Sequence, residues 1–218
     1  MSDESLFREV DEEVRQEQFK KLWDRYGNAV IALCLVVVAA VAGYKGWQYW
    51  QVRQSEAAAL MFFNAAELAE TGKPGDALKQ FGTIGHSGYG MLADLREAGL
   101  LAAQGKSEDA VKAYDAVAAD ASADPALRDL ARIRAGYVLA ETLKPDELTA
   151  RVGSFDQPAN PWRHAAREII ALAAWRTGDL KLCNQTVDTI LADADTPGSL
   201  RQRAQILSQL LIPLLPKT

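Results

Sequence analysis

Sixteen consecutive apolar or small residues, Ala29 to Tyr44 (AVIALCLVVVAAVAGY), interrupt a chain that is otherwise hydrophilic. Carried on through Gly46, Trp47, Tyr49 and Trp50, the segment covers positions 29–50. At about 1.5 Å per residue a helix of that length matches the roughly 30 Å hydrocarbon layer of a bilayer. Its flanks agree: Trp23 and Tyr26 precede the run, and Tyr44, Trp47, Tyr49 and Trp50 close it. Such rings favour the headgroup layer, where an apolar body and a polar tip are both satisfied. Lys45 is near enough to the end to extend its ammonium into that layer. A buried helix of a soluble protein would leave the two aromatic clusters without a reason.

Cations set the expected orientation. Arg15, Lys20, Lys21 and Arg25 stand before the run, and only Lys45 and Arg53 follow closely. The excess of positive charge on the first side places residues 1–28 in the cytoplasm, 29–50 across the membrane, and 51–218 beyond it. The acidic residues of the first segment do not alter this, since the rule counts cations. Ala40-Val41-Ala42 resembles a signal-peptidase site, but the long acid-rich segment ahead of the run is unlike a short basic n-region. The expectation is an uncleaved anchor.

Residues 51–218 are numerous enough for one domain with a sizeable core. They carry 18 Lys+Arg and 21 Asp+Glu, and no basic block dense enough for nucleic acid. Alanine-rich and poor in β-branched runs, they read as helical almost throughout. The two cysteines, Cys34 in the span and Cys183 far along the domain, form no disulfide framework.

The domain repeats itself. Gly72-Lys73-Pro74-Gly75-Asp76-Ala77-Leu78-Lys79-Gln80-Phe81 is echoed by Gly105-Lys106-Ser107-Glu108-Asp109-Ala110-Val111-Lys112-Ala113-Tyr114. The offset from Gly72 to Gly105 and the shared pattern resemble the tetratricopeptide repeat, a helix–turn–helix unit with a period of about 34 residues. Small and large residues of the first helix, the turn glycine, then a small residue and an aromatic in the second helix fall at Ala65, Leu68, Gly72, Ala77 and Phe81. In the next unit they are Ala98, Leu101, Gly105, Ala110 and Tyr114. A third unit has Gly136, Leu139, Leu148 and Val152, with Leu143 where the glycine belongs. A fourth has Ala171, Ala174, Gly178, Cys183 and Val187, which buries Cys183 between helices. Asp124-Pro125, Asn160-Pro161 and Thr196-Pro197 are expected helix starts, with an N-cap residue before a proline at the first position. The last of them opens a polar closing helix from Pro197 to Leu211. Residues 84–90, rich in glycine, and 152–161 are expected loops.

Catalytic patterns are missing from the sequence. His86 and His164 lie far apart in the chain, and no H-E-x-x-H, C-x-x-C, G-x-S-x-G or phosphate-loop spacing occurs. Both histidines read as solvated polar residues. The expectation is a chain that is not an enzyme and has no catalytic residue, cofactor, metal or small-molecule substrate.

Three segments carry a closer resemblance: Lys20-Lys21-Leu22-Trp23-Asp24-Arg25-Tyr26-Gly27, Gly46-Trp47-Gln48-Tyr49-Trp50, and Ala131-Arg132-Ile133-Arg134-Ala135. They are similar to the ancillary Sec-translocon subunit family of the YfgM type. That resemblance implies a bacterial inner-membrane protein with a periplasmic domain, beside the Sec translocon and in contact with a periplasmic chaperone or folding catalyst. The expected fold is all-α: a single N-terminal transmembrane helix followed by a tetratricopeptide-repeat-like helical solenoid. Stacked helix pairs leave a concave face suited to binding other proteins. Here its lining is expected to include Phe62, Phe63, Leu92, Leu95, Arg96, Ile133, Arg134 and Tyr137. Arg96 and Arg134, in equivalent positions, are expected to face the groove and meet a carboxylate. Two other roles fit the same features: a membrane-tethered scaffold for another cell-envelope complex, and a regulator acting through residues 1–28, where Leu6, Phe7, Val10, Val14, Phe19 and Leu22 recur at helical intervals.

Overall fold

The computed structural model describes residues 3–85 and 88–215, with side chains from residue 20 onward. His86 lies outside the described residues. The chain divides into two compact units, Met1–Glu56 and Ala57–Thr218. The first is helical throughout its described length, as part of α1 (Asp3–Glu70). Among the described residues this is one helix long and apolar enough to cross a membrane. Its large apolar side chains from Val30 to Val41 are exposed. Trp23 lays its ring on Gly27, where an added Cβ would come within 3.2 Å of the indole. After the apolar run, Arg53 donates from Nε to the Tyr49 hydroxyl at 2.9 Å.

In the second unit the last turns of α1 are followed by α2 (Pro74–Phe81), α3 (Gly88–Ala103), α4 (Ser107–Ala119), α5 (Pro125–Leu139), α6 (Pro145–Val152), α7 (Arg163–Thr177), α8 (Leu180–Ala192) and α9 (Gly198–Leu211), with a 3-10 turn at Gly153–Phe155. From α2 onward each helix packs on the next, and the 3-10 turn touches both α6 and α7. The odd-numbered helices also touch next-but-one: α3 with α5, α5 with α7, and α7 with α9. That contact pattern defines a stack of helical pairs. Four core clusters follow one another along it, and each contains alanines that exclude solvent completely, such as Ala65, Ala98, Ala166 and Ala174. Methyl-sized side chains let helix backbones approach, and larger neighbours fill the space beside them. Gly136 marks a tight crossing, because a Cβ there would stand 3.0 Å from both Ile169 Cδ1 and Val152 Cγ1.

Three turns of the repeat end on left-handed glycines: Gly72 (φ +79°), Gly105 (φ +75°) and Gly178 (φ +78°). These are the turn glycines that the repeat alignment singles out, and only glycine takes this conformation without a Cβ penalty. The third unit closes differently. Its first helix, α5, runs out through Ala140 in a right-handed conformation. Arg176 of α7 then donates from Nε to the Ala140 carbonyl at 2.9 Å and from its terminal nitrogen to the Leu143 carbonyl. A side chain from the next repeat therefore supplies donors to two carbonyls of a turn that has no left-handed glycine.

Other local expectations are corrected. Asp124 caps α5 by accepting from the Ala126 N–H at 2.8 Å, but Asn160 accepts from Trp162 N–H and forms a turn, so α7 starts only at Arg163. Thr196 does not cap α9. It is buried, and its hydroxyl donates to the Ile190 carbonyl at 2.6 Å, which leaves α9 to begin at Gly198. The glycine-rich stretch is no open loop at its end, since Gly88 and Gly90 belong to α3. A Cβ at Gly90 would fall 1.9 Å from the Gly85 carbonyl oxygen, so only a bare backbone permits this approach. The closing helix exposes Gln202, Gln205 and Gln209 as expected, yet Ile206 and Leu210 are also half exposed.

Replacing Arg176 by alanine should lower stability by about 1–2 kcal/mol, the cost of leaving two carbonyls without their charged donor. Urea unfolding followed by circular dichroism measures this. Arg132→Ala, which removes an exposed pair with Asp129 one turn away, should change stability by less than about 0.5 kcal/mol.

Candidate functional site

The first helix of each pair faces one side of the second unit, and its register decides which side chains line that side. Relative to the small crossing residues Ala65, Ala98, Gly136 and Ala171, the positions three before are Phe62, Leu95, Ile133 and Glu168. Two before lie Arg96 and Arg134, and one after lie Ala66, Gly99, Tyr137 and Leu172. Two adjoining depressions result. The larger, of about 750 Å³, is lined by Phe62, Leu92, Leu95, Arg96, Tyr114 and Arg134, among others. The smaller, of about 600 Å³, includes Ile133, Tyr137, Trp162, Glu168 and Arg203. Leu130 and Arg134 of α5 border both.

Of the eight residues expected in a groove, Phe62, Leu92, Leu95, Arg96 and Arg134 meet in the larger depression, while Ile133, Arg134 and Tyr137 line the smaller. Phe63 lines neither. It points to solvent at 63 % exposure, because one residue along a helix turns the side chain by about 100°. Arg96, in the same register as Phe63, reaches the depression through its longer side chain. Ile133 is 2 % exposed and belongs mainly to the core with Phe155 and Ile169. Phe62 anchors an aromatic cluster, its ring centroid 5.6 Å from that of Phe81 and 5.8 Å from that of Tyr89. The floor near α3 is deepened by Gly99, where a Cβ would meet the Tyr114 hydroxyl at 3.3 Å.

The carboxylates expected opposite Arg96 and Arg134 are not there. Among the described residues neither guanidinium has a hydrogen-bond or ion-pair partner, and both are exposed. Arg134 is close enough to Tyr114 to offset part of the upward push that burial exerts on that phenol. In the smaller depression the electrostatics are closed instead. Glu168, 6 % exposed, accepts from Arg203 through both oxygens, at 2.6 and 2.7 Å, and from the Tyr137 hydroxyl at 2.5 Å. Burial and this hydrogen bond push the Tyr137 phenol well above its ordinary range. Sequence reading misses this triad, whose members come from α5, α7 and α9 and are separated by 31 and 35 residues. A lone acid in the apolar stretch around Ile169 is the signal available.

A second polar cluster ties α7 to the turn before α9. Asp193 accepts from Arg163 at 2.9 and 3.1 Å and from Arg167 at 3.3 Å, and Arg167 also reaches Asp156 at 2.7 Å. The Arg163 guanidinium holds the Asp193 carboxyl far below the usual carboxylate range. Within this cluster lies His164, and here the expectation of a solvated histidine fails. The ring is 2 % exposed, with Nδ1 3.1 Å from the Thr196 hydroxyl and Nε2 buried without a partner among the described residues. Burial first, then the charge of Arg163, lowers its pKa. Cys183 is fully buried and its thiol is pushed up to about 11, mainly by burial, so it is a poor nucleophile at neutral pH. Among the described residues, no group of three or more His, Cys, Asp or Glu side chains could hold a metal ion.

A stack of helical pairs with an open, partly apolar face is a protein-interaction scaffold. Residues 20–169 match the tetratricopeptide repeat-like domain family, and the chain belongs to that family. The match runs from within α1 into α7, leaving α8 and α9 beyond it. No curated protein and no solved structure matches the chain.

The buried histidine has a measurable consequence. Its folded pKa lies below the unfolded value of about 6.5, so the unfolded state binds the proton more readily and stability falls as pH drops through that region. The wild-type chain should melt at a lower temperature at pH 5.5 than at pH 7.5. His164→Gln should show a smaller difference between the two; an equal or larger one would exclude this origin.

Proposed function

We propose that this chain is a bacterial inner-membrane adaptor, anchored by residues 29–50, with residues 1–28 in the cytoplasm and residues 51–218 in the periplasm. In this reading it binds other proteins and links the Sec translocon to a periplasmic chaperone or folding catalyst during export. The observation that carries the reading is the combination of an apolar helix whose side chains stay exposed with a repeat unit whose first helices line an open groove. Water would oppose such exposure along the whole apolar run, and a lipid bilayer would not. The cation excess before the span supports the orientation. The translocon and the chaperone are supported by the resemblance of the segments around Trp23, Trp47 and Ile133.

Residues Phe62, Leu92, Leu95, Arg96, Arg134 and Tyr137 form the working face in this account, with Phe63 and Ile133 at its margins. A partner's apolar side chains would enter between Phe62, Leu92 and Leu95. Nothing in the account requires bond-making chemistry, and no residue is assigned such a role.

The test is photocrosslinking in living cells with the full chain, benzoylphenylalanine replacing Leu92 at the groove lip. Adducts with the Sec channel or with a periplasmic chaperone or folding catalyst are expected. Adducts confined to cytosolic proteins, or to a different envelope assembly, would contradict the proposal.

A further inference from the structure

Most arginines of the second unit are committed. Arg151 pairs with Asp115, Arg163 and Arg167 with Asp193, Arg203 with Glu168, and Arg176 and Arg201 hold backbone carbonyls. Arg96, Arg128 and Arg134 are left without partners among the described residues, although residues 51–218 contain more carboxylates than cations. Arg128 is half-buried with its Nε enclosed and lines neither depression, which leaves Arg96 and Arg134 as the two that open on one. They hold the same register, two positions before Ala98 and Gly136 on successive first helices, and both open on the larger depression. The two helices that carry them, α3 and α5, touch directly. Packed helices are separated by about 8–10 Å, which sets the scale between two side chains in one register. The depression on which both guanidiniums open is also lined by the apolar side chains of Phe62, Leu92, Leu95 and Leu130.

We propose that the groove takes an acidic, amphipathic segment of a partner protein. Two carboxylates about 10 Å apart pair with Arg96 and Arg134, and an apolar side chain between them enters the floor. The inference rests on the protein-binding reading of this groove and adds the chemistry of its occupant. Charge complementarity carries it. An excess of carboxylates over the rest of the unit disfavours an acidic segment elsewhere, so the two unpaired guanidiniums concentrate it here. Glu70 also lines the depression and disfavours a carboxylate beside itself. An occupant covering the groove also removes water from both guanidiniums, which strengthens each ion pair. Arginine suits the task, because its planar fork binds a carboxylate through two parallel hydrogen bonds.

The experiment selects random dodecapeptides, displayed on phage, against the full chain in lipid nanodiscs. Enriched peptides should carry two acidic residues around a leucine or aromatic residue. A synthetic copy of the most enriched peptide should bind at least about tenfold more weakly when its acids become amides, a loss typical of charge-assisted hydrogen bonds. R96E/R134E should weaken it at least as much, R96K/R134K should retain most of the binding, and raised salt should weaken it. Both arginines are exposed and unpaired, so the variants should melt like the wild type, which a melting curve verifies. Indifference to R96E/R134E together with loss of binding in Leu92→Glu would overturn the acidic occupant and keep the groove. Should no enriched peptide respond to either change, both readings fall. Binding confined to a peptide copied from residues 3–26 would identify the chain's own segment as the ligand and reject a partner's.

Discussion

Close helix crossings at side chains no larger than a methyl group are the constraint from which the second unit follows. Ala65, Ala98, Ala110, Ala131, Ala166 and Ala171 are completely buried, and Gly136 has no room even for a methyl. When the crossing points are this small, bulk must be accommodated beside them, and Phe81, Tyr114, Leu148, Val152 and Val187 supply it from the second helices. Each pair then presents the next with a face it must cover, which is why the unit grows as a stack. The first helices are left with one flank that no successor covers, and that flank is the groove. Function in this account is a by-product of packing register: the residues that line the open side are those one turn or less from a buried alanine.

Polar groups divide into two populations with different roles. In the fourth repeat most are mutually satisfied, His164 Nε2 excepted: Arg163, Arg167 and Asp193 join α7 to the turn before α9, and Glu168, Arg203 and Tyr137 join three helices across the smaller depression. These networks hold the end of the stack together, joining Arg163, Arg167 and Glu168 inside the part that matches the family to Asp193 and Arg203 beyond it. In the second and third repeats the guanidiniums of Arg96 and Arg134 have no partner among the described residues, over an apolar floor. The same residue type thus fastens helices at one end and stays available in the middle.

Much of the architecture is legible in the sequence because repetition exposes register. Once Gly72 and Gly105 are aligned, the buried slots at Ala77, Ala110 and Cys183 follow, and so does the groove position of Leu95 and Arg134. What escapes the sequence involves partners distant along the chain. Thr196 looks like a helix cap locally, but the carbonyl of Ile190 and the ring of His164, 32 residues away, draw its hydroxyl inward. The turn at Leu143 lacks its glycine and gives no hint that Arg176, 33 residues later, replaces it. Phe63 is expected in the groove beside Phe62, yet neighbouring helical positions diverge by about 100°, and a one-residue error in register moves a ring from floor to solvent. The helix across the apolar run is the simplest case, since length and composition alone specify it.

The groove exists only if certain residues of the first helices are open while their neighbours in the same helices are covered. Single cysteines placed in a chain whose own Cys34 and Cys183 are alanines, and probed with a maleimide in lipid nanodiscs, test this directly. Cysteines at 92, 96 and 134 should react at rates near those of the unfolded chain, and cysteines at 98, 110 and 171 should be protected by orders of magnitude. Equal reactivity across the two sets, or protection of 96 and 134 in the isolated protein, would contradict it.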